Sequence, residues 1–232
     1  NELAYALTIT DNNSYASRSR QNLALNAELA EILEVLDAND EKIVNDFGVV
    51  YKNGNYSFRY TGTNQRRFLA DVFGKTSYDL LDYNDEFGFE EKTATPQQVL
   101  QLLMYNAKTG YFYNASSTES PEYSERINYE ITVVRYAMNA NRFTKYKPTT
   151  IAENLSDRSV AYLSEHSDTL TGTDIVEETI RKYNYSEYFA SIIGYTGRIT
   201  SDEYETYSAI DDSYSMNDTV GRSGLEAYYE SF

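Results

Sequence analysis

Apolar residues recur three and four positions apart from Asn22 to Leu36, at Leu25, Leu29, Ile32 and Leu36. That spacing predicts an amphipathic helix. A second helical stripe runs from Ser124 to Asn141, through Ile127, Ile131, Val134 and Met138. Thr95-Pro96-Gln97-Gln98 opens a third helix through Val99, Leu102 and Leu103, with Gly110 as its expected stop. Thr95 can cap, Pro96 suits the first helical position, and Gln98 can reach back in a capping box. Phe68, Leu69, Val72 and Phe73 predict a further helix, stopped by Gly74. Ser156 caps a short helix through Val160 and Leu163, and Glu187–Ile193 is a helix that Gly194 ends.

Strand patterns lie between these helices. Leu3–Thr10 is rich in β-forming residues and stops at the turn signal Asp11-Asn12-Asn13. Asn53-Gly54, between Val49-Val50-Tyr51 and Tyr56-Ser57-Phe58, predicts a tight hairpin. Phe143–Ile151 reads as a strand, and Pro148 assigns it to a sheet edge. Thr173–Tyr183 reads as another strand. Asn114–Ser124 is polar and reads as a loop, and Thr200-Ser201-Asp202-Glu203 looks like a capping signal. A helix follows Leu3–Thr10, so that strand has no hairpin partner close behind it. Its backbone groups still need partners, and these are expected after Phe143.

Composition narrows the function classes. The 232 residues suffice for one large domain or two small lobes. The 24 tyrosines predict a modest aliphatic core ringed by half-buried phenols. A formal charge of −16 disfavours nucleic acid and anionic lipid as partners. The absence of cysteine removes disulfides and thiolate chemistry. No apolar stretch approaches the ~20 residues that span a bilayer, and no signal peptide is present. Both ends read as boundaries within a longer protein.

Catalytic patterns are missing. No lysine has a serine three residues before it, and Thr179-Ile180-Arg181-Lys182 carries that spacing only with threonine. There is no Gly-x-Ser-x-Gly, phosphate loop or dinucleotide fingerprint, and the triplet Lys108-Thr109-Gly110 has no Ser-x-x-Lys anywhere in the chain to go with it. His166, the single histidine, reads as a solvated helix-end residue. Asp82, Asp85 and Glu86, and the pair Asp211-Asp212, lack the pattern of a calcium loop. They read as solvated acidic surface. No catalytic residue, cofactor or metal is therefore expected. Clusters such as Tyr111-Phe112-Tyr113 keep a carbohydrate- or peptidoglycan-binding module as the alternative.

The last third of the chain is the most specific. It contains Tyr146-Lys147-Pro148, Ile151-Ala152, Leu170-Thr171-Gly172 and Arg181-Lys182-Tyr183. Phe189-Ala190, Gly194-Tyr195-Thr196-Gly197-Arg198-Ile199 and Val220-Gly221-Arg222-Ser223-Gly224-Leu225-Glu226 follow, with Tyr228-Tyr229. In this order the motifs resemble the dimerisation, or pedestal, domain of class B penicillin-binding proteins, the penicillin-binding protein 2-like transpeptidases. Asn1-Glu2-Leu3-Ala4 resembles the end of that family's stretch after the membrane helix. Asn184 and Thr171 stand where the family usually has proline, so each of these two loops lacks a rigid turn residue.

The resemblance implies a non-catalytic, extracytoplasmic segment at the cell surface, anchored by an N-terminal transmembrane helix outside this chain. It implies that the segment positions a C-terminal D,D-transpeptidase domain of the same chain. It further implies contact with a polytopic glycosyltransferase of cell-wall synthesis, and leaves a homodimer open. The motif residues expected to build the joint are Arg181, Tyr183, Gly194, Tyr195, Gly197, Arg198, Gly221, Gly224, Leu225 and Glu226. Leu225, Tyr228 and Tyr229 would anchor a helix there. Arg181 and Glu226 could meet in a bidentate ion pair that fixes orientation; the rival reading makes both ordinary surface charges. The expected fold is α+β with two lobes. The base holds about 1–21 plus 142–232, and a mainly helical head holds about 22–141.

Overall fold

The computed structural model describes residues 2–11, 15–115, 122–140, 148–180, 186–199, 206–207, 209, 214 and 219–230. By its contacts the chain divides into two units. One is Leu3–Ile180, and the other comprises Asn1–Glu2 and Arg181–Phe232. The fold is α+β.

The larger unit is built on strand β1 (Glu2–Ile9). It is the central strand of a three-stranded sheet, between β6 (Thr149–Ala152) and β7 (Thr173–Ile180). The partners therefore do come from after Phe143. β6 runs antiparallel to β1, with Ile9 opposite Thr149 and Leu7 opposite Ala152, and a bulge between Leu7 and Thr8. It is an edge strand, as Pro148 requires; positions 143–147 of the expected strand lie outside the described residues. Gly172, at φ 93°, lets the chain enter β7 close to β1. Its carbonyl accepts from the Thr10 N–H at 2.8 Å. A Cβ there would lie 2.4 Å from the Thr10 carbonyl oxygen, so glycine is required whatever stands at 171.

Helices α1 (Arg18–Ala38) and α4 (Glu125–Ala140) carry the two predicted apolar stripes. Leu29, Ile32 and Leu36 of α1 and Ile127 and Ile131 of α4 join Leu7, Ile9 and Ile151 in one core. Full burial of each such side chain contributes about 1.5–3 kcal/mol. Helix α5 (Asp157–Glu165) adds Leu163, and the Ser156 Oγ accepts from the Ser159 N–H at its start. The expected head, 22–141, includes α1 and α4, and these helices share this core with β1 and β6.

A second, aromatic-rich core gathers Phe47, Val49, Phe68, Phe89, Val99, Leu103 and Tyr129. It is framed by the hairpin β2 (Val49–Lys52) and β3 (Asn55–Phe58), helix α2 (Gly62–Val72), the short pair β4 (Tyr83–Asn84) and β5 (Phe89–Glu90), and helix α3 (Pro96–Tyr105). Asn53 and Gly54 both have positive φ, the geometry of a two-residue hairpin turn. The Thr95–Gln98 capping box forms as predicted. Helix α3 ends at Tyr105, five residues before the expected stop at Gly110. The reason is Asn106: its Oδ1 accepts from the N–H groups of Lys108 and Thr109, closing a turn that competes with the helix. The Tyr129 hydroxyl donates to the Val49 carbonyl at 2.8 Å and accepts from Asn45 at 2.9 Å, so this phenol is satisfied inside the core.

Between the cores lies a polar cluster that the apolar stripes conceal. Arg135 is buried on α4 and donates to Asn26 Oδ1 at 2.8 Å and Asn22 Oδ1 at 3.0 Å. The two amides then donate to the carbonyls of Gly110, Tyr113 and Tyr111. The guanidinium also lies over the Tyr111 ring, 5.3 Å from its centre. Burial lowers the Arg135 pKa to about 10.

The smaller unit contains α6 (Ser186–Ile193), β8 (Thr196–Arg198), β9 (Thr219–Gly221) and a one-turn helix, α7 (Gly224–Tyr228). The capping signal at Thr200–Glu203 lies outside the described residues.

Candidate interdomain joint

Eight of the ten expected joint residues fall in described parts of the smaller unit; Arg181 and Tyr183 lie outside the described residues. The expected Arg181–Glu226 pair is outside with them. Glu226 sits in α7 and is half-buried.

The glycines set the geometry. Gly194 has φ 85° and its N–H donates to the Ala190 carbonyl at 2.8 Å, which ends α6. A Cβ on Gly194 would fall 1.8 Å from the Ser223 carbonyl oxygen. Gly224, at φ 62°, presses the start of α7 against the end of α6. A Cβ there would lie 2.5 Å from the Ile192 carbonyl oxygen. Gly221 faces the α7 backbone, and its Cβ would lie 2.2 Å from the Glu226 carbonyl carbon. Backbone therefore packs on backbone at three places, which only glycine permits.

The two strands close the joint. β8 and β9 are antiparallel, with Thr196 opposite Gly221, Gly197 opposite Val220 and Arg198 opposite Thr219. The Arg222 N–H donates to the Tyr195 carbonyl at 2.8 Å. A Cβ on Gly197 would meet the Arg222 side chain at 3.1 Å, a contact a flexible chain can relieve. Ile199 and Val220 are buried.

Sequence reasoning missed Glu230. Its Oε2 accepts from the Gly221 N–H at 2.6 Å, and the Tyr214 hydroxyl donates to its Oε1 at 3.2 Å. The carboxylate thus ties the chain after α7 back to β9. One signal for it was an acid placed directly after Tyr228-Tyr229, where the chain otherwise turns aromatic.

The expected anchors behave differently. Leu225, Tyr228 and Tyr229 are exposed. The inward side of α7 is occupied by backbone contact with Gly221 and by its seat on α6, so a helix of five residues turns these side chains outward. Tyr188, Phe189, Ile192 and Tyr195 are exposed as well. Among the described residues of the smaller unit, seven large apolar side chains are thus exposed.

Among the described residues no group of three or more His, Cys, Asp or Glu could hold a metal ion. His166 caps α5, stacks on Tyr162 with ring centres 4.0 Å apart, and its Nδ1 lies 2.8 Å from the Tyr162 carbonyl. Glu86 spends its carboxylate on Asn106 and the Ala107 N–H. Asp211-Asp212 lies outside the described residues. No helix among the described residues is long and apolar enough to cross a membrane.

The family model of the penicillin-binding protein dimerisation domain matches residues 1–232, and the chain belongs to that family. Its relatives include two peptidoglycan D,D-transpeptidases. It is 35% identical over 83 residues to penicillin-binding protein 2A of Bacillus subtilis, covering 34% of this chain and 11% of that protein. It is 30% identical over 98 residues to the peptidoglycan D,D-transpeptidase MrdA of Acinetobacter baumannii, covering 42% of this chain and 14% of that protein. Among solved structures, penicillin-binding protein 2B of Streptococcus pneumoniae aligns over 99% of this chain and 30% of its own, with TM-score 0.43 and 19% identity. The matched segments amount to 11–19% of the length of the curated relatives.

Proposed function

We propose that the whole chain is the non-catalytic pedestal of a peptidoglycan D,D-transpeptidase, and that residues 188–229 form the seat of the catalytic domain. The observation that carries this is the set of seven exposed apolar side chains on a glycine-built joint. A domain packed on exposed apolar surface recovers about 25 cal/mol per Å² of apolar area. The close backbone contacts at Gly194, Gly221 and Gly224 suit a joint that must hold a second domain at a set angle. On this reading the pedestal works outside the cell, anchored by a helix that precedes the chain. Its further partners are a polytopic glycosyltransferase and, in a dimer, a second copy. The absence of Ser-x-x-Lys agrees with a segment that does no acyl transfer.

Two experiments test the reading. Labelled penicillin added to chain 1–232 forms no covalent adduct, whereas stoichiometric labelling contradicts the non-catalytic assignment. In the full-length natural protein, Tyr195→Asp with Tyr228→Asp leaves penicillin labelling intact but speeds proteolytic cleavage at the domain junction by about tenfold, a loosening of roughly 1.4 kcal/mol. An unchanged cleavage rate counts against the seat.

A further inference from the structure

The turn of the β2–β3 hairpin holds the elements of a reaction. Asn53-Gly54 is the only Asn-Gly pair in the chain. Both residues are exposed, and nothing lies within 4 Å of the place a Gly54 Cβ would take, so the Gly54 backbone nitrogen is open on that side. No hydrogen bond among the described residues holds the Asn53 side-chain amide. Other asparagines that precede acidic or small residues are tied down. The Asn45 Oδ1 accepts from the Phe47 N–H and the Asn84 Oδ1 from the Phe87 N–H, each at 3.1 Å, and the Asn106 Oδ1 accepts from Lys108 and Thr109. Turn geometry decides whether Asn53 can reach its neighbour. With φ 52° at Asn53 and 76° at Gly54, the turn is of type I′. The other two-residue hairpin turn, type II′, keeps the first φ near about +60° and moves its ψ from about +30° to about −120°. That flips the peptide between 53 and 54 and leaves Lys52 opposite Asn55. In the native form the Gly54 nitrogen points away from the Asn53 Cβ. In the flipped form it lies on the same side, where a five-membered ring through Cβ and Cγ can close. The Asn55 Nδ2 donates to the Asn53 carbonyl at 3.0 Å and holds the peptide in its native orientation.

We propose that Asn53 is a site of spontaneous deamidation, that it reacts through a cyclic imide formed by this peptide flip, and that the isoaspartate product opens the hairpin. The Gly54 backbone nitrogen attacks the Asn53 Cγ. A C–N bond forms, the Cγ–Nδ2 bond breaks, and ammonia leaves with the proton that the Gly54 nitrogen gives up. Water then opens the imide at one of its two carbonyls, with no change of oxidation state. Opening at Cγ gives aspartate, which suits the same turn as asparagine. Opening at the backbone carbonyl gives isoaspartate, which carries the main chain through Cβ and adds one methylene to the turn. Two residues cannot then close the turn with Lys52 opposite Asn55 and Tyr51 opposite Tyr56. The Tyr51 and Tyr56 rings, 4.9 Å apart, lose their register, and with it goes the 3.3 Å bond from the Tyr51 hydroxyl to Glu125 that ties the hairpin to α4.

Peptide mapping of the full-length natural protein, aged in mildly alkaline buffer, tests this. The peptide containing Asn53 should convert at least about tenfold faster than any other asparagine of residues 1–232, including Asn13 before Ser14, and should yield both aspartate and isoaspartate. Gly54→Ala places a Cβ beside the attacking nitrogen and should slow the conversion at least about tenfold. Unfolding in guanidinium chloride frees the peptide plane and should speed it at least about threefold. Amide exchange reads the consequence. Aged protein should show a faster-exchanging population over residues 49–58, whereas Asn53→Asp should exchange like the parent. Another asparagine that converts as fast in the folded protein, Gly54→Ala that converts at the parent's rate, or aspartate formed without isoaspartate overturns the proposal. So does a rate that unfolding leaves unchanged, or aged protein whose hairpin exchanges like that of Asn53→Asp.

Discussion

Glu28 and Arg135 are, with Glu91, the buried charged residues among those described in the larger unit, and the first two are handled in opposite ways. Arg135 is fully engaged by Asn22, Asn26 and the Tyr111 ring, whereas Glu28 keeps an oxygen without a partner. Burial is the main cause that raises the Glu28 pKa from 4.5 to about 7, with Glu31 and Asp11 adding to it. The folded chain therefore holds this proton more tightly than the unfolded chain does. Between about pH 4.5 and 7 the native state binds more protons, so stability falls as pH rises through that window. A shift of this size corresponds to at most roughly 3 kcal/mol. Glu28→Gln removes the penalty. In urea unfolding its stability should equal the parent's near pH 4.5 and exceed it by about 1–3 kcal/mol at pH 8. A difference that does not change with pH would contradict the assignment. Neither residue stood out in the sequence. Asn22 and Asn26 extend the Leu25–Leu29 stripe, and Arg135 extends Ile127–Ile131, so periodicity places all three on buried faces. Nothing in periodicity says that polar side chains at those places will find one another.

At the scale of elements, prediction succeeded where one short-range rule decides. The stripes on α1 and α4, the Asn53-Gly54 turn and the Thr95 capping box each follow from spacing or from a cap, and each is present. It failed where two local rules competed. Asn106 and Gly110 both offered an end to α3, and the side chain that could bond its own backbone won. It failed also at α7, where apolar residues were read as anchors although the glycines beside them had already filled the inner side with backbone. The two kinds of glycine can be separated by experiment. Gly54 has φ 76° and nothing within 4 Å of its missing Cβ, so Gly54→Ala should cost only the left-handed strain of about 1–2 kcal/mol. Gly194→Ala adds a clash with the Ser223 carbonyl to a similar φ and should cost more, about 2–4 kcal/mol, mostly within the smaller unit. Amide exchange resolves this. Faster exchange confined to α6, β8, β9 and α7 is expected for Gly194→Ala, and exchange like that of Gly54→Ala would show that the close approach is not needed.

For the whole molecule, the sequence motifs identified the family, and the family model spans every residue. Which side chains face outward could not be read from motifs, because exposure depends on how the joint folds back on itself. The central claim is that the exposed face is a seat, and tyrosine footprinting in the full-length natural protein tests it with internal references. Tyr188, Tyr195, Tyr228 and Tyr229 are 72%, 63%, 66% and 60% exposed in this chain, against 50% for Tyr83 and 51% for Tyr105 in the larger unit. If the catalytic domain sits on this face, hydroxyl radicals should modify most of the first four more slowly than Tyr83 and Tyr105, reversing the order that exposure dictates. If all four are modified faster than the two references, the face is open water and the pedestal account is wrong.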